Sequence, residues 1–130
     1  MKTHFIIYVE DLSKTKLFYE LLFNITPIID EPGMCEYELP DGSLLGIMPN
    51  TSMEKLFGKS FEKQKNRKAL PKTEFYFHVD DALSLHKRAL QLGALEIREY
   101  AEMDWGDNVA YSINHDGHIL AFADKTKPTT

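Results

Sequence analysis

The residues of this sequence that could carry out acid–base or metal chemistry lie on two similar segments. His4 and Tyr8 stand at even spacing on one predicted strand. Glu74, Tyr76 and His78 stand at even spacing on another. Because such side chains share one face of a strand, a non-standard metal site from His4, Glu74 and His78 is one hypothesis. Metal-free acid–base catalysis is a second, and a His4–Glu74 ion pair between adjacent strands is a third.

The single tryptophan suggests a binding surface. Trp105 follows Asp104 and precedes Gly106 and Asp107, with Glu102 close before it. An indole face among carboxylates suits a planar or cationic ligand, through stacking and cation–π attraction. The alternative is a loop tryptophan that only packs onto a rim.

Composition excludes several other chemistries. One cysteine, Cys35, excludes an intramolecular disulfide framework and any zinc or iron–sulfur site built from cysteines. It follows Met34 on a predicted strand and is interpreted as a small buried hydrophobe. No Ser-His-Asp motif, phosphate-binding glycine loop or zinc spacing occurs.

The overall composition predicts one globular domain in the cytoplasm. The chain has 130 residues, of which 43% are hydrophobic and 27% charged, enough to build a core without staples. Its net charge of −5 argues against nucleic acid as the main partner. No apolar run approaches the length of a membrane span, and the first residues lack the apolar region of a signal peptide.

The elements that must position these residues are predicted to form a repeat. Residues 4–11 and 74–81 have the same pattern at an offset of 70 residues, from position 4 to position 74. Asp11 and Asp81 are predicted to cap the helices that follow. The apolar faces of the two helices are predicted from helical spacing, and their members are Leu17, Phe18, Leu21 and Leu22 in the first helix and Leu85, Ala89 and Leu92 in the second.

Three further strands are predicted after each helix. In the first half two of them cover about 25–30 and 34–39, and in the second half about 95–100 and 108–114. The last strand of each half follows an Asp-Gly turn. His115 and His118 flank the second of these turns and are expected to face solvent. Each half is therefore predicted to be a βαβββ module.

A basic linker separates the halves. Residues 55–72 contain seven Lys or Arg and one Glu, a local charge of +6 (7 − 1). A solvated connecting loop or helix is the first interpretation. The alternative is a mobile basic flap over an acidic cleft, docked by Phe57 and Phe61. Within one domain, 1–130, we predict repeat 1 at about 3–49, the linker at about 50–72 and repeat 2 at about 73–124.

This doubled module resembles the vicinal oxygen chelate superfamily, which includes glyoxalases, bleomycin-resistance proteins and extradiol dioxygenases. The resemblance rests on His4, on residues 9–12 (VEDL), on 104–107 (DWGD) and on 115–123 (HDGHILAFA). It covers nearly the whole chain outside the basic linker. It implies an α+β fold in which two βαβββ modules form a curled eight-stranded mixed sheet around a central cavity.

The resemblance also locates the metal ligands of the metal-dependent members. They lie on the first and last strands of each module, which here gives His4, Gly46, Glu74 and Ala121. Gly46 and Ala121 have no donor atom, whereas a catalytic divalent metal normally takes three or four protein ligands. We therefore expect no metal and no cofactor.

The first functional hypothesis is a bleomycin-resistance-like protein that binds a planar or cationic compound in the cup. The residues expected to contact it are Trp105, Tyr8, Tyr76, Met48, Tyr111 and Phe57, with Glu74, Asp104 and His4 as the polar groups. The alternatives are a metal-dependent lyase or isomerase of the glyoxalase type around His4 and Glu74, and a fold that serves only assembly. Open strand edges and the resemblance to a largely dimeric superfamily predict a homodimer.

Overall fold

The computed structural model describes residues 2–57, 71 and 73–125, in two compact units, Met1–Lys68 and Ala69–Thr130. The first unit contains β1 (His4–Val9), α1 (Leu12–Phe23), β2 (Ile29–Glu31), β3 (Met34–Glu38), β4 (Leu44–Pro49) and α2 (Asn50–Phe57). The second contains β5 (Glu74–His78), α3 (Ala82–Gln91), β6 (Leu95–Glu102), β7 (Asp107–Ile113) and β8 (Ile119–Lys125). The helix α2 begins the predicted linker, and most of the remaining linker, with Phe61, lies outside the described residues.

The two units have the same sheet topology. The strand order is β1-β4-β3-β2 in the first and β5-β8-β7-β6 in the second. In each, the first and last strands pair in parallel and the other pairs are antiparallel. The predicted α+β class and the two βαβββ modules are confirmed, with the strands hydrogen-bonded in two sheets of four.

Local chemistry sets the helix ends as the sequence predicts. A carboxylate oxygen of Asp11 accepts a hydrogen bond from the backbone N–H of Lys14 at 3.1 Å, and Asp81 does the same for Ser84. Gly93 follows α3 with a φ of +107°, a conformation that favours glycine. Asp11 and Asp81 therefore fix where α1 and α3 begin, and Gly93 allows the chain to turn after α3.

The buried face of α1 differs from the prediction. The residues that it buries are Thr15, Phe18, Tyr19 and Leu22, whereas Leu17 and Leu21 are exposed. The buried set has the spacing i, i+3, i+4, i+7 of a helix packed on a sheet. The prediction was right for Phe18 and Leu22 and wrong for Leu17 and Leu21. The buried set begins with a polar residue, Thr15, which hydropathy alone does not mark as buried.

Each sheet has one face covered by its helix. In the first unit, Tyr37 of β3 donates a 2.7 Å hydrogen bond to Glu20 of α1, and burial raises the pKa of this tyrosine. In the second, Asp124 of β8 accepts from the backbone N–H of Ala82, the first residue of α3, at 2.8 Å. We call the opposite side of each sheet its open face. Among the described residues, no helix is long and apolar enough to cross a membrane.

Candidate functional site

The open face of the first unit carries a histidine–glutamate pair. His4 Nε2 lies 2.7 Å from Glu36 Oε1, with the His4 side chain 35% exposed and that of Glu36 only 8% exposed. Strand β4 lies between them, and Gly46 stands opposite Glu36 in the register. Because glycine has no side chain, the imidazole reaches across β4 to the carboxylate. The structure thus gives His4 a partner within its own unit, Glu36.

The position of Gly46 is filled by its neighbours. A Cβ atom added to Gly46 would lie 2.6 Å from Cε of Met34 and 2.9 Å from Nε2 of His4. Ala121 is fully buried and has no donor atom. Within residues 2–57, 71 and 73–125, no group of three or more His, Cys, Asp or Glu is arranged to hold a metal ion. The four family positions therefore do not fit a divalent metal.

Gly46→Ala is expected to lower the free energy of unfolding by about 1–3 kcal/mol, because its methyl group overpacks the open face. Urea denaturation measures this. Adding Met34→Ala removes the nearest obstructing atom and should return part of the loss. A Gly46→Ala variant as stable as the parent would show that the space at this position is larger than the structure gives.

In the second unit a tight turn presents Trp105. Between β6 and β7, the carbonyl of Met103 accepts from the backbone N–H of Gly106 at 3.1 Å, and the Met103 N–H donates to the Asp107 carbonyl at 2.8 Å. Gly106 has a φ of +98°, which a residue with a side chain rarely adopts. The turn leaves Trp105 at its tip, with 56% of its surface exposed.

Four side chains form a continuous hydrogen-bonded relay. The indole N–H of Trp105 donates to Tyr76 Oη at 2.9 Å. Tyr76 Oη in turn donates to Asp107 Oδ2 at 2.6 Å, and Lys125 Nζ donates to the other carboxylate oxygen at 2.5 Å. The relay Trp105–Tyr76–Asp107–Lys125 therefore fixes the edge of the indole and leaves its face exposed.

Charge and burial set the protonation of this relay. The hydrogen bonds from Lys125 and then from Tyr76 hold the pKa of Asp107 below its usual value. Burial, followed by the bond to Asp107, raises the pKa of Tyr76. At neutral pH the carboxylate is ionised and the phenol keeps its proton, so the direction of each hydrogen bond is fixed.

A third ring and an apolar floor complete this region. The ring of His78 lies edge-on to that of Tyr76, with centroids 5.1 Å apart. We call Trp105, Tyr76 and His78 the aromatic platform. Its floor is a buried cluster against which Tyr76 and Tyr111 also pack, and the cluster consists of Met103, Val109, Ala121 and Ala123.

The structure brings some of the predicted contact residues together. Trp105 and Tyr76 are in direct contact, Tyr111 packs on the same floor, and Glu74 and Asp104 are exposed in the same unit. The other predicted residues belong to the first unit: His4, Tyr8 on β1, Met48 opposite Tyr8 on β4, and Phe57 at the end of α2.

Sequence reasoning missed three residues of these networks, Glu36, Asp107 and Lys125. Nothing local in the sequence indicates Glu36, because its place opposite Gly46 follows from the register of β3 and β4. Asp107 was noted only as a neighbour of Trp105. Lys125 is 18 residues further along and meets Asp107 through strand register, which nothing local in the sequence indicates.

His118 lies deeper than expected for a turn residue. Its Nδ1 contacts the hydroxyl of Thr73, its ring packs 5.7 Å from that of Phe75, and its Nε2 is buried without a partner among the described residues. The expectation that it faces solvent was wrong, because the turn ends immediately before β8 and His118 joins the packing of that strand. Burial lowers the pKa of His118 below its usual 6.5, against the charge of Asp116.

Stability is expected to fall as the pH is lowered from about 7.5 to about 5.5. The unfolded chain takes up a proton at the ordinary histidine value of 6.5, whereas folded His118 resists protonation. This contribution is therefore complete above pH 6.5 and is lost as the pH falls through the lowered folded value.

Urea denaturation at both pH values measures this dependence. His118→Gln should flatten it, because glutamine does not take up a proton in this range. The pKa values of Asp41 and Asp107 are also lowered, from the ordinary 3.8. These two carboxylates therefore change the stability only below pH 3.8, outside the range that the experiment covers. A His118→Gln variant with the same pH dependence as the parent would contradict the burial of His118.

No protein-family model and no curated protein matches the sequence. Solved structures do match. A glyoxalase-related enzyme from Fulvimarina pelagi has a TM-score of 0.79 at 19% identity, over 96% of this chain and 88% of that one. A glyoxalase/bleomycin resistance protein/dioxygenase family enzyme from Burkholderia phytofirmans PsJN has a TM-score of 0.80 at 17% identity, over 95% and 98%.

A lactoylglutathione lyase from Agrobacterium tumefaciens is also similar, with a TM-score of 0.70 at 15% identity, over 95% of this chain and 92% of that one. Identities this low show a shared fold. A shared fold does not show a shared function, so the chemistry of this chain depends on its own residues.

Proposed function

The chain has the fold of the vicinal oxygen chelate superfamily, and from that premise we propose that it binds a planar, cationic small molecule without a metal. The family named for one of the similar structures includes bleomycin resistance proteins together with glyoxalases and dioxygenases. The ligand would lie on the aromatic platform of the second unit, with its ring system against the exposed face of Trp105.

One observation carries the proposal: the hydrogen bond from Trp105 to Tyr76. An exposed indole on a turn ordinarily loses side-chain entropy when it binds a ligand. Here the relay has already fixed the ring, so less entropy remains to be lost, and preorganised groups bind more tightly for that reason.

The surrounding charge supports a cationic ligand. Asp107 is neutralised by Lys125, whereas Asp104 and Glu74 are exposed carboxylates of the same unit. Exposed carboxylates attract a cation at long range and are screened by salt, and the indole face attracts it at contact.

Calorimetric titration with N-methylquinolinium and with quinoline tests the proposal, since both have the same fused rings and only the first is permanently charged. The cation should bind more tightly, and more so at low salt. Asp104→Asn should weaken the cation more than the neutral compound. If neither compound binds, or if quinoline binds equally well at all salt concentrations, the proposal fails.

The second candidate is a metal-dependent lyase of the glyoxalase type, favoured by the likeness to the lactoylglutathione lyase. It would need metal ligands beyond His4 and Glu74, and Gly46 and Ala121 provide none. Elemental analysis of protein purified without chelator separates the two functions. One zinc, nickel, manganese or iron per chain would favour the lyase.

We also propose that the protein is a cytoplasmic homodimer with neither nucleic acid nor a membrane as a partner. The exposed edge strand β6, with Leu95 and Ile97 largely exposed, supports the dimer because unpaired strand edges need covering. Light scattering at tens of micromolar should give twice the chain mass. A monomer mass at that concentration would exclude the dimer.

A further inference from the structure

The indole N–H of Trp105 and the hydroxyl of Tyr76 already have partners within the second unit. The Tyr76 hydroxyl donates a hydrogen bond to Asp107 and accepts one from the indole N–H of Trp105. The carboxylate of Asp107 is buried, and its second oxygen accepts from Lys125. A ligand that lies on the faces of Trp105 and Tyr76 therefore meets no free hydrogen-bonding atom of these two side chains.

Because these hydrogen-bonding groups already have partners, the site is expected to discriminate between cations. A primary ammonium group has three N–H donors that are bonded to water in solution. Against ring faces those bonds are lost without replacement, and an unsatisfied donor is costly. A quaternary ammonium or N-alkylated ring has no N–H to satisfy and keeps the full attraction to the rings.

From these contacts we infer that the platform selects quaternary ammonium or N-alkylated heteroaromatic cations over primary amines of the same size. This inference rests on the proposed function and adds the chemical class of its ligand. Tyr76 is the residue that determines the specificity, because its hydroxyl occupies both the indole N–H and one oxygen of Asp107. Asp107 and Lys125 act through it as positioning residues.

The test compares benzyltrimethylammonium with benzylammonium by calorimetry at about pH 8, above the usual titration range of histidine. The quaternary cation should bind about tenfold more tightly to the parent protein. Tyr76→Phe keeps the ring but frees the indole N–H and one oxygen of Asp107. In that variant the ratio of the two affinities should approach one, because the primary ammonium group gains an acceptor.

The outcomes separate this inference from the proposed function. If benzylammonium binds as tightly as the quaternary cation, or more tightly, the inference is overturned. It is also overturned if N-methylquinolinium binds but benzyltrimethylammonium does not, or if the selectivity is unchanged in folded Tyr76→Phe, and in both cases the proposed function stands. If none of the three cations binds, the proposed function fails together with the inference.

Discussion

Trp105→Ala is expected to weaken the binding of N-methylquinolinium about tenfold or more. Stacking on an indole contributes about 1 kcal/mol beyond area burial, and a cation over its face a comparable amount. Together these exceed the 1.4 kcal/mol that corresponds to one decade of affinity. Calorimetry is the suitable measurement, because the variant has lost the only tryptophan fluorophore.

Trp105→Phe provides the matched control. It keeps a ring face but loses the N–H that donates to Tyr76, so it should retain part of the affinity. Both variants should unfold at nearly the same urea concentration as the parent, since residue 105 is exposed at the tip of a turn. If folded Trp105→Ala binds as tightly as the parent, the indole only packs on the rim.

Phe122→Ala should have the largest effect on stability. Phe122 is fully buried on the helix-covered face of β8, and its ring stacks on that of Phe77 with centroids 5.8 Å apart. Replacing a buried phenylalanine by alanine costs about 3–5 kcal/mol, through lost burial and the cavity left behind. Because β8 also carries Ala121 and Ala123 of the platform floor, ligand affinity should fall with stability.

Lys87→Ala is the control for this prediction. Lys87 is exposed on α3 of the same unit, so its loss should change the free energy of unfolding by about 0.5 kcal/mol or less. Urea denaturation of both variants measures the contrast. A loss below about 1 kcal/mol for Phe122→Ala would show that β8 is not the packed centre of the second unit.

Much of the fold could be predicted because local and repeated patterns encode it. Asp11 and Asp81 act within one helical turn of themselves, so their role as caps needs no tertiary information. The repeat predicted the same order of strands and helix in both halves, because similar sequences are expected to fold alike. The strand predicted at 25–30 is found at Ile29–Glu31, because Asn24 ends α1 in a left-handed conformation and irregular chain follows.

The candidate site was only partly predictable because its contacts depend on register. Trp105 and Tyr76 could be proposed by residue type, but the pairing of Lys125 with Asp107 follows from the alignment of β7 and β8. The pair of His4 with Glu36 similarly depends on Gly46 lying between them. Single-strand patterns show which residues share a face and do not show which of them meet across strands.

The most direct test of the account is the NMR signal of the one indole N–H during titration with N-methylquinolinium. The chain has one tryptophan, so ¹⁵N-labelled protein gives one such signal. It belongs to the indole N–H of Trp105, which is hydrogen-bonded to the Tyr76 hydroxyl. The account predicts that this signal shifts saturably, with the same midpoint as calorimetry. A ligand that binds by calorimetry while this signal stays unchanged would contradict a site on Trp105.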